Sequence, residues 1–254
     1  MSGKQWQFSA LGFTVLWRAA DRDVLPYPLQ THSDAETVAD YDRLWQEEAQ
    51  RIVPMFDESL DGAVRLLLDP EARFELAGYG EGEKLRSFAA VRDRSAVLVE
   101  QQRVPMDRDG GDIRMSMLDI DQLPDKLLAR LPRTDAARAD VFSMNTNDLE
   151  EETPYDPWAA DRRTPQEKAE AFFGRTRSTL VYLAGYPGAA VDNRPQPGQG
   201  FHVMDFPDGR YLVTQRGSVV EARPGDLTDA RQSLIRLMKT TLAIHREDNE
   251  PSYR

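Results

Sequence analysis

Side chains able to do chemistry are sparse in this 254-residue sequence and poorly spaced for it. There is no cysteine, which rules out disulfides, thiolate metal sites and a cysteine nucleophile. Three histidines, His32, His202 and His245, lie far apart, with no His-x-x-x-His pairing. His202 follows Phe201 in an apolar alternation and reads as a sheet histidine rather than a general base. Gly78-Tyr79-Gly80-Glu81-Gly82 has the glycine content of a phosphate loop, but no Gly-Lys-Ser/Thr ending and no following helix, so a hairpin loop is expected. Asp119, Asp121 and Asp125 miss the EF-hand spacing and its closing glutamate, and are read as a helix cap. Asp205 and Asp208 flank a turn, whose chemistry accounts for them. No Gly-x-Ser-x-Gly elbow occurs. The expectation is a protein that is not an enzyme, with no catalytic residue, no cofactor and no metal, whose work is binding.

Composition narrows the partner. The 43 acids outweigh the 32 bases, for a net charge of −11, and an acidic surface repels phosphate backbones, so no nucleic-acid partner is expected. Hydrophobic residues are 40% and charged residues 30%, enough for a packed core. Apolar runs are too short for a membrane-spanning helix, and the N-terminus leads into no signal-peptide h-region, so no membrane insertion and a cytoplasmic site of action are expected.

The elements that must position any binding surface follow from periodicity. Trp6–Ser9 reads as a short strand and Leu11–Ala20 as a helix. Leu25-Pro26-Tyr27-Pro28-Leu29 is extended, because two prolines forbid helix interior. Helices are expected over Ala35–Val53 and Leu60–Leu68, then strands over Arg73–Tyr79, Lys84–Arg92, Ser95–Arg103 and Asp112–Leu118. Ile120–Leu131 is helical by its leucine spacing. Residues 133–165 shift in composition, and their acidic, proline-bearing part, 149–163, reads as a linker or surface excursion. Pro165–Phe173 suits a helix with proline at its first position. A strand over Arg177–Ala184 and a long loop over Gly185–Gly200 follow, and Glu247–Arg254 reads as a fraying tail.

The stretch from Phe201 to Met238 organises the rest. Phe206-Pro207-Asp208-Gly209-Arg210 is a turn and Arg216-Gly217-Ser218 a second, separating three strands rich in Val, Tyr, Leu and Phe. From Asp226, an N-cap with Asp229 three residues on, Leu227, Ala230, Leu234, Leu237, Met238, Thr241 and Leu242 form one apolar helical stripe. The passage from Arg114 through Asp121 to Leu131 echoes that from Val219 through Asp226 to Leu237. Either the chain holds two copies of one α+β unit, about 1–132 and 164–245, or both strand–helix junctions are simply capped by aspartate. The first option gives one domain over 1–254, an antiparallel sheet with helices in two quasi-two-fold-related halves.

These residues resemble the EspG family. The resemblance rests on the short strand and helix before Leu25-Pro26-Tyr27-Pro28-Leu29, and on Asp205-Phe-Pro-Asp-Gly209-Arg210-Tyr211-Leu212 with Val-Glu-Ala-Arg-Pro-Gly-Asp226 behind it. It covers about Phe8 to Met238. It implies a mixed α/β fold with quasi-two-fold symmetry, and a cytosolic chaperone of type VII (ESX) secretion in actinobacteria that holds the helical tip of a secreted PE–PPE-type heterodimer soluble. The alternative is a non-catalytic adaptor or scaffold of a secretion locus. The acidic 149–163 segment and the proline-rich Asn193–Gly198 loop have no counterpart in the family pattern. Apolar candidates for the partner-binding face are Phe201, Val203, Tyr211, Val213, Leu234 and Met238, set against ordinary core packing for each.

Overall fold

A computed structural model describes residues 3–149, 163–190 and 198–250. Two rows of valine, phenylalanine and leucine, one on each side of the strands, dictate a sheet covered on both faces. The strands are β1 (Gln5–Phe8), β2 (Ala72–Gly80), β3 (Glu83–Arg92), β4 (Ser95–Pro105), β5 (Ile113–Asp119), β6 (Phe142–Asn145), β7 (Thr179–Pro187), β8 (Gln199–Phe206), β9 (Gly209–Arg216) and β10 (Val219–Pro224). Every paired neighbour runs antiparallel, in the order β1-β5-β4-β3-β2-β7-β8-β9-β10-β6. From the β2–β7 seam outward, each side is a four-strand meander. Its outer edge is closed by the strand that opened that half of the chain. The seam is tight. A Cβ on Gly78 would lie 2.0 Å from the Leu180 carbonyl oxygen, so glycine is required where β2 meets β7.

The helices are α1 (Ala10–Ala19), α2 (Val38–Ile52), α3 (Glu58–Leu68), α4 (Leu123–Leu128), α5 (Pro165–Phe173) and α6 (Leu227–Asn249). Register decides which residues share a face, because directly opposed residues of antiparallel strands point the same way. Phe74, Leu76, Val181, Leu183, Phe201, Val203 and Leu212 point to one face. There they form a core with Leu123 and Leu127 of α4 and Ala230, Leu234, Leu237 and Met238 of α6. On the other face, α1 and α3 cover Phe88, Ala90, Val97, Val99, Ile113 and Met115. The same face of the β8–β10 side is covered by α5, through Phe172 and Phe173 over Met204, Phe206, Tyr211 and Val213.

Local signals explain the helix starts. Thr164 and Glu167 form a capping box ahead of Pro165, and Asp226 and Asp229 form one ahead of α6. Ser9, Thr37 and Asp57 cap α1, α2 and α3. Three expectations need correction. The stretch between Leu131 and α5, for which no element was expected, contains β6, which pairs with β10 as an edge strand. The helix expected over Ile120–Leu131 is a 3-10 turn followed by only six α-helical residues. The tail expected from Glu247 is helical as far as Asn249. Most of the acidic 149–163 segment, most of the Asn193–Gly198 loop and the last four residues lie outside the described residues. Among the described residues, no helix is long and apolar enough to cross a membrane.

Candidate functional site

The six apolar residues expected at a binding face are all buried. Phe201 and Val203 lie in the core beneath α6, to which α6 itself contributes Leu234 and Met238, and Tyr211 and Val213 lie beneath α5. The physical reason is that both faces of this sheet carry helices. Alternation along Phe201–Val213 therefore separates two cores rather than core from solvent. In this chain these side chains are packed in the two cores.

Asp205 also differs from its expected role as a turn residue. Its carboxylate accepts from Arg210 at 2.7 Å (Nε to Oδ1) and 2.9 Å (Nη2 to Oδ2), with both side chains fully enclosed. Thr134 Oγ1 donates to Oδ2 at 3.1 Å, and Arg210 Nη2 also donates to the Pro132 carbonyl at 2.7 Å. The pair thus straps the 132–137 segment across the β8–β9 hairpin. Gly209, at φ +126°, belongs to the same lock, since a Cβ there would meet the Ala137 backbone at 2.6 Å. Asp208 does serve the turn's surroundings, accepting from the Tyr211 hydroxyl at 2.9 Å and from Arg175 at 3.0 Å. Arg175 in turn stacks over Phe172 and Phe206.

A concavity lies on the face that α1 and α3 cover. There the end of α1, the segment 21–27, the end of α3 and strands β2, β3 and β7 enclose a cleft of about 620 Å³. A volume of this size suits recognition of a side chain or small group. Its apolar lining includes Trp17, Leu25, Leu67 and Phe88, and its mouth carries Val24 and Tyr27, 58% and 65% exposed. Trp17 fixes the mouth by donating Nε1 to the Val24 carbonyl at 2.8 Å. Asp21, Arg22 and Asp23 supply a polar rim.

The floor is charged. Arg73 and Glu75 sit on β2, two residues apart, and both point into the cleft because Arg73 opposes Tyr186 and Ala90 while Glu75 opposes Phe88 and Ala184. Both are buried, at 5% and 8% exposure. Arg73 stacks 4.4 Å from the Tyr186 ring centre and donates to the Gly188 carbonyl at 3.2 Å. Its Nε lies 3.5 Å from Glu75 Oε1, an ion pair too long to count as a hydrogen bond, and that Nε has no other partner. Burial, only partly opposed by the Arg73 charge, pushes the Glu75 carboxyl up to about 7. Burial likewise lowers the Arg73 pKa and raises those of Tyr182 and Tyr186, Glu75 adding to both tyrosine shifts. Beyond Tyr182, His202 stacks on its ring at 4.5 Å, and burial lowers the imidazole pKa.

In the cleft floor a carboxyl and a guanidinium face one another, and among the described residues no group of histidines and acids could hold a metal. What the cleft offers is an apolar mouth over a buried carboxyl short of hydrogen-bond donors. Sequence reading missed Arg73 and Glu75. The available signal was Arg73-Phe74-Glu75-Leu76, two charges on one side of a strand whose other side is fully apolar.

Comparison with known proteins gives two findings. The model of the EspG family matches residues 9–234. The solved structures it is similar to include, at 14% identity with a TM-score of 0.61 and covering 93% of this chain and 96% of the other, the Mycobacterium tuberculosis type VII secretion system chaperone EspG5, solved in complex with a PE25–PPE41 dimer. Among curated proteins no sequence matches.

Proposed function

The chain belongs to the EspG family, and from that premise we propose that it is a cytosolic chaperone of a type VII secretion system, binding the helical tip of a PE–PPE heterodimer and keeping it soluble for export. The family match over residues 9–234 carries the reading. The cleft supports it physically. A helical tip brings apolar side chains that Val24, Leu25, Tyr27 and Trp17 can cover, while the Asp21–Asp23 rim keeps the free chaperone soluble. The work is done by binding alone, without catalysis.

The test is co-expression with a PE–PPE pair. The chaperone and the pair are expected to co-purify, and the pair to precipitate without it. Because binding energy concentrates in a few anchors, Val24→Asp or Tyr27→Asp is expected to weaken capture by about 2 kcal/mol or more, with folding intact since both side chains are exposed. A pair that stays soluble and monodisperse alone would sink the chaperone reading and favour an adaptor. We also propose that residues of about 1–132 and 164–245 are two copies of one unit within a single domain. The shared strand order supports this, and superposing β2–β5 on β7–β10 tests it.

A further inference from the structure

Glu75 is the one strand carboxyl in the cleft that lacks a hydrogen-bond donor, and its surroundings say what it needs. Among the described residues Arg73 is its one close cation; that guanidinium stacks on Tyr186 and donates Nη1 to the Gly188 carbonyl, leaving only Nε toward Glu75. The 3.5 Å separation leaves the carboxyl without a direct bond. From β7, Tyr182 and Tyr186 face it. From β3 come Phe88, which is apolar, and one pair further along Arg86, which is engaged by Asp109 at 3.4 Å. The end of α3 contributes Leu67, Leu68 and Pro70, none of which titrates. The end of α1 and the segment after it bring Asp21, Arg22, Asp23 and Tyr27 to the cleft wall. With Glu75 ionised the lining is therefore net negative: three carboxylates against two guanidinium groups.

We propose that the floor of this cleft takes a cationic side chain, lysine or arginine, from the helical partner, and that seating it drives the proton off Glu75. The inference rests on the chaperone reading and specifies the chemistry of its contact. A buried carboxyl short of donors is completed by a cation carrying several N–H groups, whereas an apolar side chain would leave it neutral and unbonded. The surrounding aromatic and leucine walls suit the methylene stem of such a side chain. The step is a simple proton release: the carboxyl O–H gives its proton to solvent and the carboxylate pairs with the incoming cation.

Linkage fixes the sign. The free site is half protonated near pH 7 and the bound site is ionised, so binding tightens as pH rises. Between pH 6 and pH 8 the affinity is expected to increase by roughly tenfold, levelling off above pH 8. The experiment is calorimetric titration of the full chain with a co-purifying PE–PPE pair at pH 6, 7 and 8, in buffers of different ionisation enthalpy to count protons. Wild type is expected to release about half a proton per complex at pH 7, and Glu75→Gln to bind more weakly at pH 8 with no pH slope. A carbon-13 NMR titration of the Glu75 carboxyl in wild type, free and bound, covers the case in which the variant folds poorly. Its midpoint is expected to fall well below 7 in the complex. Tight wild-type binding with no proton release, or the same release in Glu75→Gln, would overturn this inference and leave the chaperone reading standing. No capture of any pair by wild type at any pH would overturn both.

Discussion

Two buried ion pairs stand on either side of the β2–β7 seam, and they are built to opposite ends. Asp205–Arg210 is bidentate and enclosed, with three further bonds linking the pair's charged groups and backbone to Pro132, Thr134 and Asp135; among the described residues only Arg210 Nη1 of the pair finds no partner. Arg73–Glu75 is slightly less buried, spans 3.5 Å with no direct bond, and opens on a cleft. A buried charge is costly unless its hydrogen bonds are met within the fold. The first pair meets all of them but that of Arg210 Nη1 and ties the 132–137 segment to the β8–β9 hairpin. The second leaves the demand open, where an outside group can meet it. The number of hydrogen bonds each makes, more than charge, separates the two pairs.

The largest break of that comparison is on the saturated side. Asp205→Ala strands the Arg210 guanidinium in the core and releases the 132–137 strap, and is expected to cost about 3–5 kcal/mol in chemical denaturation. Replacing both partners at once, as Asp205→Leu with Arg210→Met, is expected to cost distinctly less, because no uncompensated charge remains. Equal losses would mean that the pair itself, rather than the stranded cation, sets the stability.

Glu75 gives the next effect, and its sign is the reverse of the usual carboxylate. Its folded pKa of about 7 lies above the ordinary 4.5, so the fold favours the neutral acid. That contribution is fully present below pH 4.5 and is lost as pH rises through 7, by up to about 3 kcal/mol. Glu75→Gln removes the titration. In thermal denaturation the variant is therefore expected to gain on wild type by about 2–3 kcal/mol between pH 5 and pH 8. A parallel pH dependence in both proteins would show that the carboxyl is already ionised in the free fold.

The two pairs also mark where the sequence was legible. Element types and turns were open to reading because their signals are local: Thr164-Pro165 starts a helix, Pro207-Asp208-Gly209 turns a hairpin, and Asp226 caps α6. β6 was not, since Phe142–Asn145 is four residues long and gains its meaning only by pairing with β10 some 75 residues later. The surface was the least legible part. Period two says that Phe201 and His202 point opposite ways, but nothing in the alternation says that α5 and α6 will cover both sides. Asp205 and Arg210 looked like turn residues because their bond partners, Pro132 and Thr134, come from a segment with no pattern of its own.

The smallest expected effect compares the two strand-to-helix junctions whose echo first suggested a repeat. At both, an aspartate leaves a strand and opens a helical turn, yet the local bonding differs. Asp226 accepts from the backbone N–H groups of Thr228 at 2.7 Å and Asp229 at 3.1 Å, and Asp229 returns a bond to the Asp226 N–H at 3.0 Å. The backbone donors of Asp229 and Thr228 hold the Asp226 carboxyl below its ordinary value, so the cap persists at neutral pH and is lost only as acid protonates it. Asp119 accepts from one backbone donor, the Asp121 N–H at 3.0 Å, and it opens a 3-10 turn rather than a 23-residue helix. α4 is moreover pinned by Leu123, Leu127 and Leu128, all buried in the shared core. Asp226→Ala is therefore expected to lower the melting temperature by roughly 2–4 °C and Asp119→Ala by less, while Asp226→Asn, which keeps the acceptor, should restore most of the loss. If Asp119→Ala proves as costly as Asp226→Ala, the two junctions carry equal weight despite their unequal bonding, and packing rather than capping sets the boundary of each helix.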